Sequence, residues 1–104
     1  MSKNAIIELN ESNFDETVKT GTVLVDFWAP WCGPCRMQGQ ILHDAIDTFP
    51  AGVVVGKVNV DDAPGLAARF TVRSIPTLLV MKDGKEVKKF VGVQQAAALL
   101  DAVS

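Results

Sequence analysis

The sequence is short of the residues that mark metal centres, nucleic-acid surfaces and membrane anchors. It has one histidine, two cysteines and no tyrosine in 104 residues. Ten Lys and Arg against twelve Asp and Glu give a formal charge of −2. The cation excess needed to neutralise many phosphates is missing, which argues against a nucleic-acid partner. No apolar run approaches the ~18 residues of a membrane-spanning helix. Lys3 is followed only by Ala5, Ile6 and Ile7 before Glu8 breaks the run, too little for the apolar centre of a secretory signal. The length suits one domain and is too short for two, and no repeat or linker divides it. Residues 1–104 are therefore read as a single domain, expected to be monomeric and cytoplasmic with no membrane attachment.

The remaining composition is that of a folded protein, since 48% hydrophobic and 21% charged residues argue against disorder. Ala5–Leu9 is strand-like. Asn10 to Thr20 has a helical pattern, with Phe14 and Val18 at i, i+4, Asn10 or Ser12 as cap and Gly21 as stop. Thr22 to Ala29 is apolar except for Asp26, as in a central strand buried on both faces. Pro34 to Phe49 reads as the longest helix, with Met37, Ile41, Ala45 and Phe49 as its apolar stripe. Val53 to Val60 predicts another buried strand, and Asp62 and Pro64 open a short helix holding Leu66 and Phe70. Thr77 to Met81 and Glu86 to Val91 form a hairpin around Asp83-Gly84. Gln94 to Val103 closes the chain as a helix with Ala96, Leu99, Leu100 and Val103 on one side. The order β-α-β-α-β-α-β-β-α predicts an α/β fold: a central mixed sheet with helices on both faces.

Cys32 and Cys35 are separated only by Gly-Pro. Closing so short a loop stabilises a fold by roughly 2 kcal/mol before strain is subtracted, a small gain for a structural staple. The pair reads first as redox and second as metal. It sits where a strand ends and a helix begins. A helix N-terminus presents unpaired N–H groups and the positive end of the macrodipole, which favour a thiolate. Cys32, at the cap, is expected to be the more acidic and exposed sulfur and the nucleophile. Cys35, inside the first turn, is the shielded sulfur that resolves the mixed disulfide.

The string Trp31-Cys32-Gly33-Pro34-Cys35, with Asp26-Phe27-Trp28-Ala29, Lys57, Ile75-Pro76-Thr77 and Gly92, resembles the thioredoxin family over nearly the whole chain. That resemblance implies a thioredoxin fold, reduction of protein disulfides and recycling by a thioredoxin reductase. The only redox group implied is the Cys32–Cys35 pair, with no bound cofactor or metal and with electrons reaching it from NADPH through the reductase. Gly-Pro between the cysteines is similar to reducing thioredoxins, whereas oxidising relatives carry His there.

The resemblance also gives roles to single residues, each with a plainer alternative. Asp26 is either an exposed or sheet-edge aspartate or a buried carboxyl of raised pKa that moves a proton to or from Cys35. Lys57 matches the family lysine near that aspartate, where it would tune the carboxyl, or is a plain surface cation. Pro76 either keeps a strand start unpaired or, as the resemblance implies, follows a cis Ile75–Pro76 bond against the sulfurs. Trp31, Gly33, Pro34, Ile75, Val91, Gly92 and Val93 would form an apolar apron for substrate, with the Ile75 backbone open to an extended segment. Trp28 reads as packing and His43 as part of a solvated helix face.

Two other functions stay open on sequence alone. One is a binding module with incidental cysteines. The other is a metal site, for which Cys32, Cys35 and distant His43 supply too few ligands unless two chains share the ion. The sequence departs from the family at Gln38-Gly39-Gln40, where thioredoxins commonly carry an apolar residue, a small residue and a helix-kinking proline. Gln40 keeps its N–H, which predicts a straighter helix. Arg36 replaces a usual lysine, and Phe70 a frequent tyrosine.

Overall fold

A computed structural model describes residues 5–104, so the sequence reading of the first four residues, Lys3 included, lies outside the described residues. Five strands make one sheet: β1 (Ile6–Leu9), β2 (Thr22–Trp28), β3 (Val54–Asn59), β4 (Thr77–Lys82) and β5 (Lys85–Val91). Their spatial order is β1-β3-β2-β4-β5. β3 pairs in parallel with β1 and β2, whereas β4 runs antiparallel to β2 and to β5. The helices are α1 (Phe14–Val18), α2 (Gly33–Ala45), α3 (Pro64–Arg69) and α4 (Ala96–Ala102). The predicted mixed sheet and element order are both present.

β2 lies at the centre, and its residues Val23 to Phe27 are all buried. Alternation along the strand divides them between two cores. Val23, Val25 and Phe27 join Phe14 and Val18 of α1 and Leu66 of α3. Leu24 joins Leu42 of α2 and Leu99 of α4, with Leu78 and Val80 of β4. Asp26, two residues beyond Leu24, therefore faces the α2 layer. The hairpin after β4 turns through Asp83 and Gly84, whose φ angles are +50° and +84°. Successive positive φ values match the right-handed twist of the flanking strands. Asp83 also closes a reciprocal pair: its N–H donates to the Gly21 carbonyl, and its Oδ1 accepts from the Gly21 N–H.

Helix boundaries and one helix face differ from the sequence reading. α1 starts at Phe14 because the Asn10 side chain accepts from the N–H groups of Ser12 and Asn13, holding that stretch as a turn. α2 ends at Ala45, and a 3₁₀ turn over Ile46–Thr48 delivers Phe49 to the core in extended backbone. Met37, expected on the buried stripe, is 59% exposed, while Gln38 is fully buried. The inward stripe is Cys35, Gln38, Leu42 and Ala45. Its period is helical, but a polar residue at its second position hides it from hydropathy. The helix runs unbroken through Gly39 and Gln40. At the C-terminal end, α4 begins at Ala96, since the Gln94 backbone is engaged by Gln38.

Candidate active site

The redox pair lies where the C-terminal end of β2 gives way to α2. Cys32 is the N-cap of that helix, in extended backbone, and Pro34 sits in the first turn, where its missing N–H leaves no gap. The Cys35 N–H donates to Cys32 Sγ at 3.2 Å, so an orphan donor of the helix terminus is aimed at the sulfur. Cys32 and Cys35 form a disulfide with their Cα atoms 5.2 Å apart. Cys32 is 6% exposed and Cys35 2%. The expected ranking is present, but Cys32 is not an exposed residue. Ala29, Trp28, Val60 and Ile75 pack against the pair, and the Ile75 carbonyl oxygen lies 3.8 Å from Cys32 Sγ. With the disulfide reduced at pH 7, iodoacetamide is expected to alkylate Cys32 at least about tenfold faster than Cys35, because thiolate fraction and access both favour it. Peptide mapping of the alkylated protein checks this, and equal rates would overturn the assignment.

The structure packs Trp28 and Ile75 against this pair, with Pro76 next in the chain. The Ile75–Pro76 peptide is cis, as the resemblance implied. Pro76 is buried, and its carbonyl accepts from the Gly92 N–H at 2.8 Å, which places the 91–93 segment beside the proline loop. Gly92 has φ +94°, a conformation that side-chain-bearing residues rarely adopt. Trp31 and Val91 are exposed at 68% and 62%, and Gly33 and Pro34 are exposed as well. The other residues of the expected apron, Ile75, Gly92 and Val93, are half-buried.

Sequence reasoning missed part of that surface. A groove of about 390 Å³ runs from Trp31 and Ile75 to Val60, Ala67, Ala68 and Val72. The Trp31 indole N–H donates to Asp61 at 3.0 Å, fixing the ring at the groove's edge. Val60 follows the carboxyl end of β3, beside the strand that leads to the cysteines. In open α/β sheets such ends line binding crevices, a signal that could have identified it. A larger recess of about 640 Å³ lies between β1 and α2, lined by Glu8, His43 and Lys57 among others, and neither cysteine lines it.

Asp26 is the buried carboxyl of the two alternatives, at 2% exposure. Its Oδ1 has no hydrogen-bond partner among the described residues. Burial raises its pKa from 3.8 to about 7, and the positive charge of Lys57 pulls partly the other way. Lys57 stands opposite Asp26 in the β2–β3 register and is half-buried rather than a plain surface cation. Its Nζ lies 4.6 Å from the centre of the Trp28 ring, which gives Trp28 a packing and cation–π role. Replacing Lys57 by Met is expected to move the Asp26 pKa above about 7, because the one attraction favouring the carboxylate is removed. NMR titration of the Asp26 carboxyl carbon reads this directly; an unmoved midpoint would show that the lysine charge does not reach it.

His43 is exposed on α2 beside Asp44. Among the described residues no three of His, Cys, Asp and Glu converge as metal ligands would. No helix among them is long and apolar enough to cross a membrane.

Comparison with known proteins agrees with this geometry. The family model described as Thioredoxin matches residues 5–104. The chain is 44% identical over 99 residues to a thioredoxin of Staphylococcus haemolyticus, covering 95% of each chain. It is 43% identical over 99 residues to one of Staphylococcus saprophyticus, again covering 95% of each. Among solved structures, a single-residue mutant of a thioredoxin from Halobacterium salinarum superposes with a TM-score of 0.86 at 32% identity, over 99% of this chain and 91% of that one. The chain belongs to the thioredoxin family, and its Cys32–Cys35 pair is the redox-active centre of a dithiol–disulfide oxidoreductase.

Proposed function

We propose that this protein works in the reducing direction, carrying electrons from a thioredoxin reductase to disulfides in other proteins. The observation that carries the chemistry is Cys32 capping α2 with its sulfur on the Cys35 N–H, which favours a Cys32 thiolate as the attacking group once the pair is reduced. The reducing direction rests on Gly33-Pro34 between the cysteines, as in reducing thioredoxins. The Cys32 thiolate attacks one sulfur of the substrate disulfide. A mixed disulfide forms, and the other substrate sulfur leaves as thiolate. Cys35 then attacks Cys32 Sγ, releasing the second substrate thiol and closing the Cys32–Cys35 bond. Asp26, with its pKa near neutrality, takes the Cys35 proton as that sulfur becomes the nucleophile. Lys57 tunes Asp26. The reductase dithiol, supplied from NADPH, reopens the bond.

Trp31, Gly33, Pro34, Ile75 and Gly92 receive the substrate, and Pro76 presents the Ile75 backbone to an extended segment. An exposed apolar surface around a nucleophile suits polypeptide more than a small polar disulfide. The expected compartment is the cytoplasm, where the reducing milieu keeps a dithiol carrier loaded. The test is reduction of insulin disulfides with NADPH and a bacterial thioredoxin reductase, together with the equilibrium potential of the pair. Thioredoxins as a family stand at about −270 mV, against about −120 mV for a strong periplasmic oxidant. A potential near the oxidant end would reverse the direction assigned here.

A further inference from the structure

Gln38 is the one fully buried amide of the inward stripe of α2, one turn beyond Cys35. Its Nε2 donates to the Gln94 carbonyl at 3.0 Å, and its Oε1 accepts from the Gln94 N–H at 2.7 Å. The two residues are 56 positions apart, so this is a tertiary clamp from a helix to a loop. Gln94 lies in the irregular stretch between β5 and α4, two residues past Gly92. Within that stretch the Gln94 side-chain N–H donates to the Gly92 carbonyl at 3.3 Å. Gly92 sits at φ +94°, in the left-handed region that glycine enters at no steric cost. What ties the stretch to the rest of the fold are bonds on either side: the Gly92 N–H to Pro76 upstream, and Gln94 to Gln38 downstream. An apolar side chain at 38 would fill the same space but leave the part-buried N–H and C=O of Gln94 without these partners.

We propose that Gln38 is a specificity-determining positioning residue: it pins the Val91–Gln94 segment to the redox helix, holding one wall of the docking surface in place for disulfides carried on an extended polypeptide. The proposal rests on the disulfide-reductase reading above. Both polar ends of Gln38 are engaged by Gln94 rather than by the reacting sulfurs, so its effect belongs to docking. Small disulfides, which reach Cys32 without that wall, are indifferent to it.

The test compares the parent with Gln38→Met, which keeps length and loses both hydrogen bonds. For insulin as substrate, KM is expected to rise about five- to tenfold, the effect of one or two hydrogen bonds lost in holding a binding surface, with kcat within about twofold. Reduction of a small aromatic disulfide and the equilibrium potential of the cysteine pair stay within about twofold of the parent. The Gln94 amide, protected in the parent although it lies outside any helix or strand, exchanges at least about 100-fold faster in the variant. An unchanged insulin KM overturns the proposal, and so does an equal loss with both substrates, which would mark Gln38 as merely structural. Should Gln38→Met not fold, the parent decides alone: a Gln94 amide exchanging at the unprotected rate means there is no clamp. A parent that fails to reduce insulin at all would instead remove the reductase reading and leave the amide-exchange result standing.

Discussion

Replacing Asp26 by alanine is expected to stabilise the folded protein by about 3 kcal/mol at pH 8 while slowing disulfide exchange. The carboxyl is buried in the central strand, one oxygen lacks a partner among the described residues, and its pKa rises from 3.8 to about 7. Such a shift opposes folding when the group is charged. Below pH 3.8 the carboxyl is neutral in both states and the penalty is absent. As pH climbs from there towards 7 the unfolded chain ionises first, so stability falls across that window and levels off above it. At about 1.4 kcal/mol per pKa unit, the full penalty is about 4 kcal/mol. The void left by the lost carboxyl returns about 1 kcal/mol of that. Urea melts of the oxidised proteins should therefore find the pair within about 1 kcal/mol of each other at pH 4 and separated by about 3 kcal/mol at pH 8. The variant should also reduce insulin on the order of a hundredfold more slowly at neutral pH, the low end of what a positioned proton acceptor contributes. A variant less stable than the parent at pH 8 would show a well-paired carboxylate and remove the physical basis of the proton-transfer role.

The same residue shows why much of the site is legible in the sequence. Asp26 stands out because it interrupts a strand that is otherwise apolar, and a charge in such a strand is either at an edge or under electrostatic stress. The cysteine pair is legible for a related reason. Its position between a strand and a Pro-initiated helix fixes the sulfur–dipole geometry through local backbone alone. The order of elements along the chain and the helix layers on both faces follow from periodicity, because each buried face repeats at a spacing the chain displays.

What stays hidden depends on tertiary partners. Hydropathy prefers methionine to glutamine and so puts Met37 on the inward face of α2, yet Gln38 is inside since Gln94 satisfies both its polar ends. No local pattern displays a partner in a loop that far along the chain. The groove wall at Val60, Ala67 and Val72 is invisible for the same reason, being assembled from the end of β3, from α3 and from the segment after it. Local reasoning ranks Cys32 correctly against Cys35 but gives it too much exposure. The backbone of Ile75, whose carbonyl lies beside it, arrives from the loop before β4.

Replacing Cys32 by serine is expected to abolish insulin reduction, and replacing Cys35 by serine is expected to arrest it one step later. The two losses look alike in a turnover assay and differ in what accumulates. Serine at 32 leaves an alcohol at the helix N-terminus. The dipole and the Cys35 N–H favour an anion there, but the hydroxyl stays protonated near neutrality and does not attack sulfur. The loss should be on the order of a thousandfold or more, the scale seen when a nucleophile is removed while the rest of a site remains. Cys35→Ser keeps the attacking thiolate and removes only the sulfur that closes the ring. Attack then proceeds, the substrate's second sulfur leaves, and the mixed disulfide through Cys32 persists because no neighbour displaces it. Non-reducing electrophoresis with mass spectrometry should find a covalent adduct with Cys35→Ser and none with Cys32→Ser. The alternative of a binding module with incidental cysteines predicts the opposite pattern: no adduct from either variant and unchanged partner binding in both. Adducts formed only through Cys35 would exchange the two roles and detach nucleophile selection from the helix cap, leaving the 2% exposed sulfur inside the first turn as the one that substrates must reach.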